Sequence, residues 1–240
     1  MPLGAHRVSV CVATYNGEKY FRQQLESILS QLSADDEVII SDNCSTDLTR
    51  EVINSIGDAR VTLHTFNIRS VVSNFENAFR SASGDVIVIA DQDDVWMDGK
   101  IDRIKRELEA YDLVVTDCKV VDEQLNLLHQ SLFELIKPRT GIFRNLMRNS
   151  YTGCCMAFNR RVLDAALPFP NNLPMHDWWI GLVGEVVGPV KFIDEPFLLY
   201  RRHGSNVSTL STPSALSLWK KISMRIILLS SLFYRFVLKV

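Results

Sequence analysis

Short apolar runs alternate with amphipathic segments through the first half of the chain. Residues 18–32 carry apolar side chains at helical spacing, whereas residues 85–90 form, after Asp85, an unbroken apolar run typical of a strand buried on both faces of a parallel sheet. The pattern predicts strands at residues 8–13, 37–40, 60–66, 85–90 and 113–116, and helices at residues 18–32, 45–56, 74–83 and 98–111. This regular alternation predicts an α/β fold with a mainly parallel sheet and helices on both faces.

Polar segments follow three of the predicted strands. They are residues 14–17 (Thr-Tyr-Asn-Gly), 41–43 (Ser-Asp-Asn) and 91–94 (Asp-Gln-Asp-Asp). Because ligands bind beyond the carboxyl ends of the strands in open parallel sheets, we expect these three segments to form one ligand site.

The second half of the chain has a less regular pattern. It predicts helices at residues 141–148 and 177–187, and strands at residues 152–159, 190–193 and 197–200. From residue 216 onward it predicts an amphipathic helix. One face of this helix carries the apolar residues Trp219, Ile222, Ile226, Leu229, Phe233 and Val237, and the opposite face carries Lys220, Lys221, Arg225, Arg235 and Lys239.

Charge is distributed unevenly along the chain. All 28 acidic residues and 19 of the 26 Lys and Arg residues precede residue 196, so the body carries a formal charge of −9 and the remainder +7. This asymmetry favours contact between the tail and an anionic membrane, and it does not indicate a nucleic-acid partner. The same amphipathic helix is also suited to packing on its own domain or in a dimer.

Length and composition are those of a globular protein. With 240 residues, 47% of them hydrophobic, the chain can form one domain with a sizeable core plus an appendage. Its five cysteines include no pair at zinc-ligand spacing, which favours free thiols in a reducing compartment. The sequence has neither a signal-like start nor, in the tail, an uncharged run of the about 20 residues that cross a bilayer. We therefore expect a cytoplasmic protein, peripheral at the inner face of the cytoplasmic membrane.

Three carboxylates, Asp91, Asp93 and Asp94, follow the apolar strand directly. Like charges at one strand end raise each other's pKa, and a bound divalent cation offsets this cost. Oxygen ligands suit Mg²⁺ or Mn²⁺, so the cluster predicts a metal site. The alternative is a solvated acidic turn.

Asp42 ends the second strand, where an acid can accept hydrogen bonds from a base or from ribose hydroxyls; the alternative is an Asx turn or a helix cap. No glycine-rich turn follows the first strand, which argues against a nucleotide-sugar dehydrogenase or another dinucleotide-binding protein. A diphosphate ligand then needs a cation and basic side chains, and Arg201, Arg202 and His203 are candidates. The alternative for these three is a solvated basic loop.

Three motifs in this order resemble one known family. Residues 8–16 (V-S-V-C-V-A-T-Y-N), residues 41–47 (S-D-N-C-S-T-D) and residues 83–96, which contain A-D-Q-D-D-V-W, resemble family 2 glycosyltransferases of the GT-A fold, a Rossmann-like fold. Asn43 and Cys44 depart from the family's S-D-D-G-S-T-D pattern, but Asp42 is kept. The resemblance extends to about residue 208. Residues 151–158, 176–179 and 200–206 resemble a branch that builds bacterial surface polysaccharides such as O-antigen and includes rhamnosyltransferases.

The resemblance implies a domain organisation and a reaction. Residues 1–208 are expected to form the GT-A domain, with a nucleotide-binding half to about residue 117 and an acceptor-binding half from residue 118, followed by the helical tail at residues 209–240. The implied reaction is inverting, metal-dependent transfer from a UDP- or dTDP-sugar, dTDP-rhamnose included, to a saccharide or lipid-linked saccharide. The alternative is a catalytically degenerate homologue that only binds nucleotide-sugars.

The resemblance also assigns roles to residues. Asp177 is expected to be the general base, although it is equally suited to cap a helix, and His176 offers the same chemistry. The metal ligands are expected to be Asp91, Asp93 and His203. The nucleotide-sugar site is expected to contain Thr14, Tyr15, Asn16, Asp42, Asp91, Gln92, Arg201 and Arg202. The acceptor and sugar pocket is expected to contain Asp94, Trp96, Thr152, Gly153, His176 and Trp178, with core packing as the alternative for Trp178 and Trp179 and close strand packing for Thr152 and Gly153.

Overall fold

A computed structural model describes residues 6–204 and 217–238. The strands are β1 (Val8–Thr14), β2 (Glu37–Asp42), β3 (Val61–Thr65), β4 (Val86–Ala90), β5 (Val95–Trp96), β6 (Leu113–Val121), β7 (Leu127–His129), β8 (Met156–Asn159) and β9 (Val190–Arg201). The α-helices are α1 (Phe21–Leu29), α2 (Thr49–Ile56), α3 (Val71–Ser81), α4 (Lys100–Glu107), α5 (Leu132–Ile136), α6 (Ile142–Met147), α7 (Arg160–Ala166), α8 (His176–Val187) and α9 (Leu218–Phe233).

The first half of the chain forms the parallel part of one sheet. In the order β3-β2-β1-β4, each neighbouring pair is parallel. Thr14 at the end of β1 pairs with Asp42 at the end of β2, and Ala90 at the end of β4 pairs with Val12. The three polar segments that follow these strands therefore meet at one edge of the sheet, and the α/β prediction for this half is confirmed.

The second half adds strands of both directions to the same sheet. Strand β8 lies between β4 and β6 and is antiparallel to both, β9 is parallel to β6, and β5 is antiparallel to β9. The sheet is consequently mixed, and parallel pairing dominates only in the first half. Hydrophobic patterning predicts a strand but not its direction, because the alternation of side chains is the same in both.

Several element boundaries differ from the sequence prediction. The strand predicted at residues 152–159 begins as a 3₁₀ turn at Gly153–Cys155, and only Met156–Asn159 pairs with the sheet. The two strands predicted at residues 190–193 and 197–200 are one strand, β9, with an irregular register where it passes Asp117. Strand β6 runs across residues 117 and 118, where the two halves of the domain were expected to divide. That division stays a prediction.

Helix α8 is buried along most of its length because a glycine lets a large ring lie against it. A Cβ atom at Gly181 would lie 2.1 Å from the ring of Tyr151, so no larger residue fits there. The Tyr151 hydroxyl donates a hydrogen bond of 2.7 Å to Glu185, one turn further along the helix. This packing holds the amino-terminal end of α8, which carries Asp177, against the sheet.

Helix α9 packs on the domain through Leu228 and Leu232, which belong to the hydrophobic core. It continues as a π-helical turn over Tyr234–Leu238. The amphipathic helix predicted from residue 216 is therefore present from Leu218, while residues 209–216 lie outside the described part. Among the described helices, none combines the length and hydropathy needed to cross a membrane.

Candidate functional site

The acidic turn after β4 is the centre of the site. Asp94 is fully buried, Asp93 is buried and Asp91 is half-buried. The pKa of Asp91 is raised to about 7, and that of Asp94 is raised well above its ordinary value. In both cases burial is the largest cause and the neighbouring charge of Asp93 is the second. The turn thus concentrates negative charge that the surrounding protein does not fully neutralise.

Two sets of possible cation ligands surround this turn. His203 Nε2 lies 2.7 Å from Asp93 Oδ2, so two of the three predicted metal ligands are in contact. A second group consists of Asp91, Asp94 and Cys154, whose ligand atoms lie within 4.8 Å of one another. Asp94 Oδ2 is buried and has no hydrogen-bond partner among the described residues. A hard divalent cation held mainly by carboxylate oxygens fits these residues, because it offsets the repulsion and satisfies the orphaned oxygen.

Arg201 binds the acidic turn through several hydrogen bonds, and its predicted contact with the diphosphate stays a prediction. Its backbone N–H donates to Asp94 Oδ1 at 2.9 Å, and its guanidinium donates to the carbonyl oxygens of Asp93 and Glu123, both at 2.7 Å. The same guanidinium donates to Gln23 at 2.6 Å and lies 4.7 Å from the ring of Tyr20. A buried guanidinium occupied in this way positions the carboxylates. Arg202 is only partly buried, and its predicted phosphate contact stays a prediction.

Gln92 joins the acidic turn to the end of β1. Its side-chain oxygen accepts hydrogen bonds from the Thr14 hydroxyl at 2.6 Å and from the Tyr15 N–H at 2.9 Å, and its amide donates to the Tyr15 carbonyl oxygen at 3.2 Å. Gln92 thus positions the end of β1, and its predicted contact with the nucleotide stays a prediction. A Cβ atom at Gly17 would lie 2.7 Å from the Gln92 oxygen, so this tie requires a glycine there.

The loop after β2 is tied to the same region. Asn16 has a positive φ of 49°, and its side-chain oxygen accepts a hydrogen bond of 2.9 Å from the Thr46 N–H. Asp42 is fully buried, and its carboxylate accepts hydrogen bonds from the backbone N–H and hydroxyl of Ser45. This contact reaches three residues along the chain, as in a cap, and not the two residues of the Asx turn weighed as an alternative for Asp42. A hydrogen bond that Asp42 accepts from the donor would be made in addition to those from Ser45.

Asp177 faces the acidic turn from the start of α8. Its carboxylate accepts a hydrogen bond of 2.6 Å from the Trp178 N–H and another from the Gly153 N–H, and its charge reaches Asp91. Burial raises the pKa of Asp177 to about 6 in spite of these hydrogen bonds. A carboxyl group with a pKa near neutrality, close to a second acidic group, is suited to general-base catalysis.

His176 is a buried, neutral imidazole beside Asp177. Its ring stacks on Phe75 with 4.1 Å between the centroids, and neither ring nitrogen has a hydrogen-bond partner among the described residues. Burial lowers the pKa of His176 to about 3. The Nε2 atom points toward Gly153, where an added Cβ atom would lie at 3.2 Å. His176 thus offers an unused hydrogen-bonding group beside the predicted base, but not an acid at neutral pH.

Two aromatic residues predicted for the sugar pocket are buried. The indole of Trp178 donates a hydrogen bond of 2.7 Å to the Asn145 carbonyl oxygen on α6. Trp96 is buried with the amine of Lys100 4.6 Å from its ring centroid. This burial agrees with the core packing weighed as an alternative for Trp178, and the place of both residues in the sugar pocket stays a prediction. Thr152 and Gly153 lie partly exposed beside Asp177 and stay candidates.

A buried lysine lies beneath the acidic turn, and the sequence analysis did not identify it. Lys100 is fully buried, and its amine donates a hydrogen bond of 3.0 Å to the Cys154 carbonyl oxygen. Its positive charge acts on Asp94, and burial lowers the pKa of its own amine. A lysine in the first turn of an amphipathic helix carries no signal that it is buried. Only the antiparallel insertion of β8 brings Cys154 next to it.

Comparisons with known proteins identify the family of the chain. The model of the family described as "Glycosyl transferase family 2" matches residues 9–167. The chain is 25% identical over 170 residues to the Escherichia coli protein WfgD, named UDP-Glc:alpha-D-GlcNAc-diphosphoundecaprenol beta-1,3-glucosyltransferase, with 70% of this chain and 64% of that protein covered. It is 26% identical over 217 residues to the dTDP-rhamnosyl transferase RfbG of Shigella flexneri, with 81% of this chain and 72% of that protein covered. The chain thus spans about two thirds of the length of these relatives.

Solved structures share the fold. Staphylococcus aureus TarS in complex with UDP-GlcNAc superposes with a TM-score of 0.68 at 17% identity, covering 96% of this chain and 73% of that chain. The mannosyltransferase PcManGT from Pyrobaculum calidifontis, in complex with GDP-Man and Mn²⁺, superposes with a TM-score of 0.57 at 22% identity, covering 80% of this chain and 55% of that chain. These likenesses confirm the predicted fold class, and the family model confirms the predicted family. The chain belongs to glycosyl transferase family 2 and is a glycosyltransferase of the GT-A fold.

Proposed function

We propose that this glycosyltransferase moves a sugar, with inversion and with the help of a divalent cation, from a UDP- or dTDP-sugar to a saccharide or lipid-linked saccharide. The observation that carries the proposal is the acidic turn at residues 91–94, where the charge of Asp177 helps to raise the pKa of Asp91. The names of the relatives support transfer from a UDP- or dTDP-sugar, in one case to a lipid-linked saccharide, and keep dTDP-rhamnose among the candidate donors. A role in the synthesis of bacterial surface polysaccharide, such as O-antigen, is part of the proposal.

The donor is proposed to bind along the ends of β1, β2 and β4. Asp42 is proposed to accept a hydrogen bond from the base or ribose, with Thr14, Tyr15 and Asn16 forming the wall of the nucleotide site. Arg202 is the preferred candidate for the diphosphate, since Arg201 is occupied by the acidic turn. Asp91, Asp93 and His203 are proposed to hold Mg²⁺ or Mn²⁺. When bound, this cation neutralises charge on the leaving diphosphate.

Asp177 is proposed to remove the proton from the acceptor hydroxyl. As the acceptor oxygen forms its bond to the anomeric carbon, the bond from that carbon to the diphosphate oxygen breaks and the proton passes to the carboxylate. The raised pKa of about 6 leaves Asp177 mostly ionised at neutral pH yet basic enough to accept a proton. His176, Thr152, Gly153 and Asp94 are proposed to contact the acceptor or the transferred sugar.

The proposal also includes the cellular location of the enzyme and the boundaries of its two halves. A lipid-linked acceptor places the enzyme at the inner face of the cytoplasmic membrane, in peripheral contact with it. The nucleotide-binding half is proposed to end near residue 117 and the acceptor-binding half to extend to about residue 208.

A donor screen tests the proposed function. Thermal unfolding is measured with UDP-glucose, UDP-GlcNAc, GDP-mannose and dTDP-rhamnose, each with Mn²⁺, with Mg²⁺ and with EDTA. We expect one UDP- or dTDP-sugar to raise the melting temperature only when a divalent cation is present, because a ligand that binds the native state stabilises it. That donor is then supplied with a diphospholipid-linked saccharide, and the product's anomeric configuration is determined by NMR. Binding without any transfer would favour the degenerate homologue, and retention of configuration would exclude an inverting enzyme.

A further inference from the structure

Helix α9 leaves an apolar stripe exposed, although it packs on the domain through Leu228 and Leu232. Trp219 is 81% exposed, and the other residues of the same stripe are exposed as well: Ile222, Ile226, Leu229, Phe233 and Val237. Amphipathic helices on globular domains normally bury their apolar stripe. The stripe of α9 instead faces away from the domain, where it is available to a partner.

Two arginines hold α9 in this orientation. Arg225 donates a hydrogen bond to the Met147 carbonyl oxygen at the end of α6. Arg235 donates hydrogen bonds to the Ala165 and Leu167 carbonyl oxygens, at 3.0 Å and 2.6 Å. Because charged donors on unpaired helix-end carbonyls stabilise the contact, these arginines fasten α9 to the domain and are not themselves the outward-facing charges.

Helix α6 extends the same surface. Phe143 is 84% exposed and Met147 is also exposed, although α6 is otherwise packed on the domain through Leu146. Helix α6 contacts α9 through Met147 and contacts α8 through the hydrogen bond between Trp178 and Asn145. The surface is therefore continuous with the helix whose first turn carries Asp177.

The charge around this surface is positive. No acidic residue occurs at residues 135–163 or after residue 195. The exposed cations among the described residues of the two segments are Lys137, Arg139, Arg144, Arg148, Arg161 and Lys220. Glu76 lies beside Arg235 at the carboxyl-terminal end of α9, so the positive charge is concentrated around α6 and the start of α9. Exposed apolar side chains among these cations match the interface of an anionic bilayer. A second copy of the same face would bring these like charges together across a two-fold axis, which disfavours a dimer.

We propose that α6 and α9 form one surface that docks on an anionic lipid bilayer, with Phe143 and Trp219 inserted at headgroup depth. A tryptophan prefers this depth because its ring is apolar and its N–H is polar. The proposal deepens the proposed function, since a docked α6 would hold α8 and its Asp177 near an acceptor carried by lipid. Binding of this surface to lipid does not depend on catalysis, so it can be tested separately from the proposed function.

Vesicle binding by the full chain tests the proposal. Co-sedimentation is measured with phosphatidylcholine vesicles containing about 30% phosphatidylglycerol and with phosphatidylcholine alone. We expect binding only to the anionic vesicles, weakened about tenfold by Phe143→Ser and by Trp219→Ser, because each removes a large apolar contact with the interface. The matched control is Leu128→Ser, an equally simple loss of an exposed apolar side chain on β7, which is expected to leave binding unchanged.

Two outcomes would overturn the docking proposal, and a third would contradict only the proposed function. Equal vesicle binding by the wild type, Phe143→Ser and Trp219→Ser would overturn the proposal, and so would a wild-type dimer in sedimentation equilibrium that Phe143→Ser dissociates while neither protein binds vesicles. Transfer to a water-soluble acceptor is measured alongside. If the variants lose vesicle binding but no protein transfers sugar, the docking surface stands and the proposed function fails. We expect unchanged transfer to the soluble acceptor in both variants.

Discussion

The two sides of the candidate site are built in different ways. On the side formed by β1, β2 and β4, the polar residues follow their own strands and are tied to one another by short hydrogen bonds, such as those of Gln92 with Thr14 and Tyr15. On the side formed by α8 and the β8 turn, Asp177 and His176 are buried with shifted pKa values, and His176 lacks any hydrogen-bond partner among the described residues.

This difference indicates that the β1–β2–β4 side of the site binds the ligand and that the α8 side takes part in the reaction. Side chains that are already bonded to the protein form a rigid cradle, which suits a nucleotide that is bound in the same way before and during the reaction. Buried groups with shifted pKa values are costly to keep and are typical of groups that take part in chemistry. We therefore expect substitutions on the α8 side to lower kcat and substitutions on the β1–β2 side to raise KM.

The largest effect is expected from Asp177→Asn. The amide keeps the shape of the side chain but cannot accept the proton, and general-base catalysis contributes about 10²–10⁴-fold, so kcat is expected to fall by that factor. Donor Kd, measured by calorimetry, is expected to stay the same. Because Asn is nearly as good as Asp at a helix amino terminus, the melting temperature serves as the control. Turnover within about threefold of wild type would exclude Asp177 as the base and move attention to His176 or Asp94.

Asp93→Ala is expected to weaken cation-dependent binding of UDP or dTDP about 100-fold, because it removes the carboxylate that contacts His203 and is proposed to hold the cation. Calorimetry with Mn²⁺ and with EDTA measures the effect. Asp98→Ala removes an exposed carboxylate from the same region and should have no effect. Equal nucleotide affinity in EDTA, for wild type and variant alike, would contradict the metal assignment.

Arg201→Gln distinguishes support of the acidic turn from phosphate binding. The substitution leaves buried carbonyl oxygens of Asp93 and Glu123 without their donor, so the free energy of unfolding is expected to fall by about 2 kcal/mol, a factor of about 30 in the folding equilibrium. Urea denaturation measures this change. Arg202→Gln is the matched partner and is expected to weaken donor binding while leaving stability within about 0.5 kcal/mol. Unchanged stability of Arg201→Gln would favour Arg201 as a phosphate ligand.

The pH dependence of kcat also tests Asp177 as the general base, with a smaller expected effect. Burial raises the pKa of Asp177 to about 6, and only the ionised carboxylate accepts a proton. The kcat measured at saturating donor is therefore expected to rise with pH and to be about tenfold lower at pH 5 than on the plateau above pH 7. Saturating donor is needed because the pKa of Asp91 is also raised, to about 7, and affects donor binding. A flat profile over this range would contradict the assignment.

The smallest effect is expected from Asp42→Ala. Loss of one hydrogen bond to the donor should raise KM about fivefold and leave kcat within about twofold, because the bond is present before and during the reaction. Asp47→Ala is the control, since Asp47 holds the same loop through Thr49 without lying at the strand end. A large fall in kcat with an unchanged KM would assign Asp42 to the chemical step.

The position of a site residue can be predicted where consecutive residues encode it. A residue that follows a buried strand must lie at that strand's carboxyl end, so Thr14, Asp42 and Asp91 could be placed at one edge in advance. The residue types of Arg201, Trp96 and Trp178 suit both a site and a core, so their predicted site roles stay predictions. Which of the two they join depends on neighbours distant in sequence, such as Glu123 for Arg201 and Asn145 for Trp178.

The sequence by itself determined the family, the parallel half of the sheet and the acidic strand end, because local hydrophobic periodicity and short motifs are properties of consecutive residues. Only the tertiary structure decided the rest of the site. The turn before β8 brings the Cys154 carbonyl oxygen to the Lys100 amine, and the fold brings Asp177 close enough to Asp91 for its charge to raise the pKa of Asp91. The fold also left the apolar stripe of α9 exposed, since the helix packs on the domain through Leu228 and Leu232. A helical wheel shows that two faces differ, but which face the protein buries depends on the surface beneath the helix.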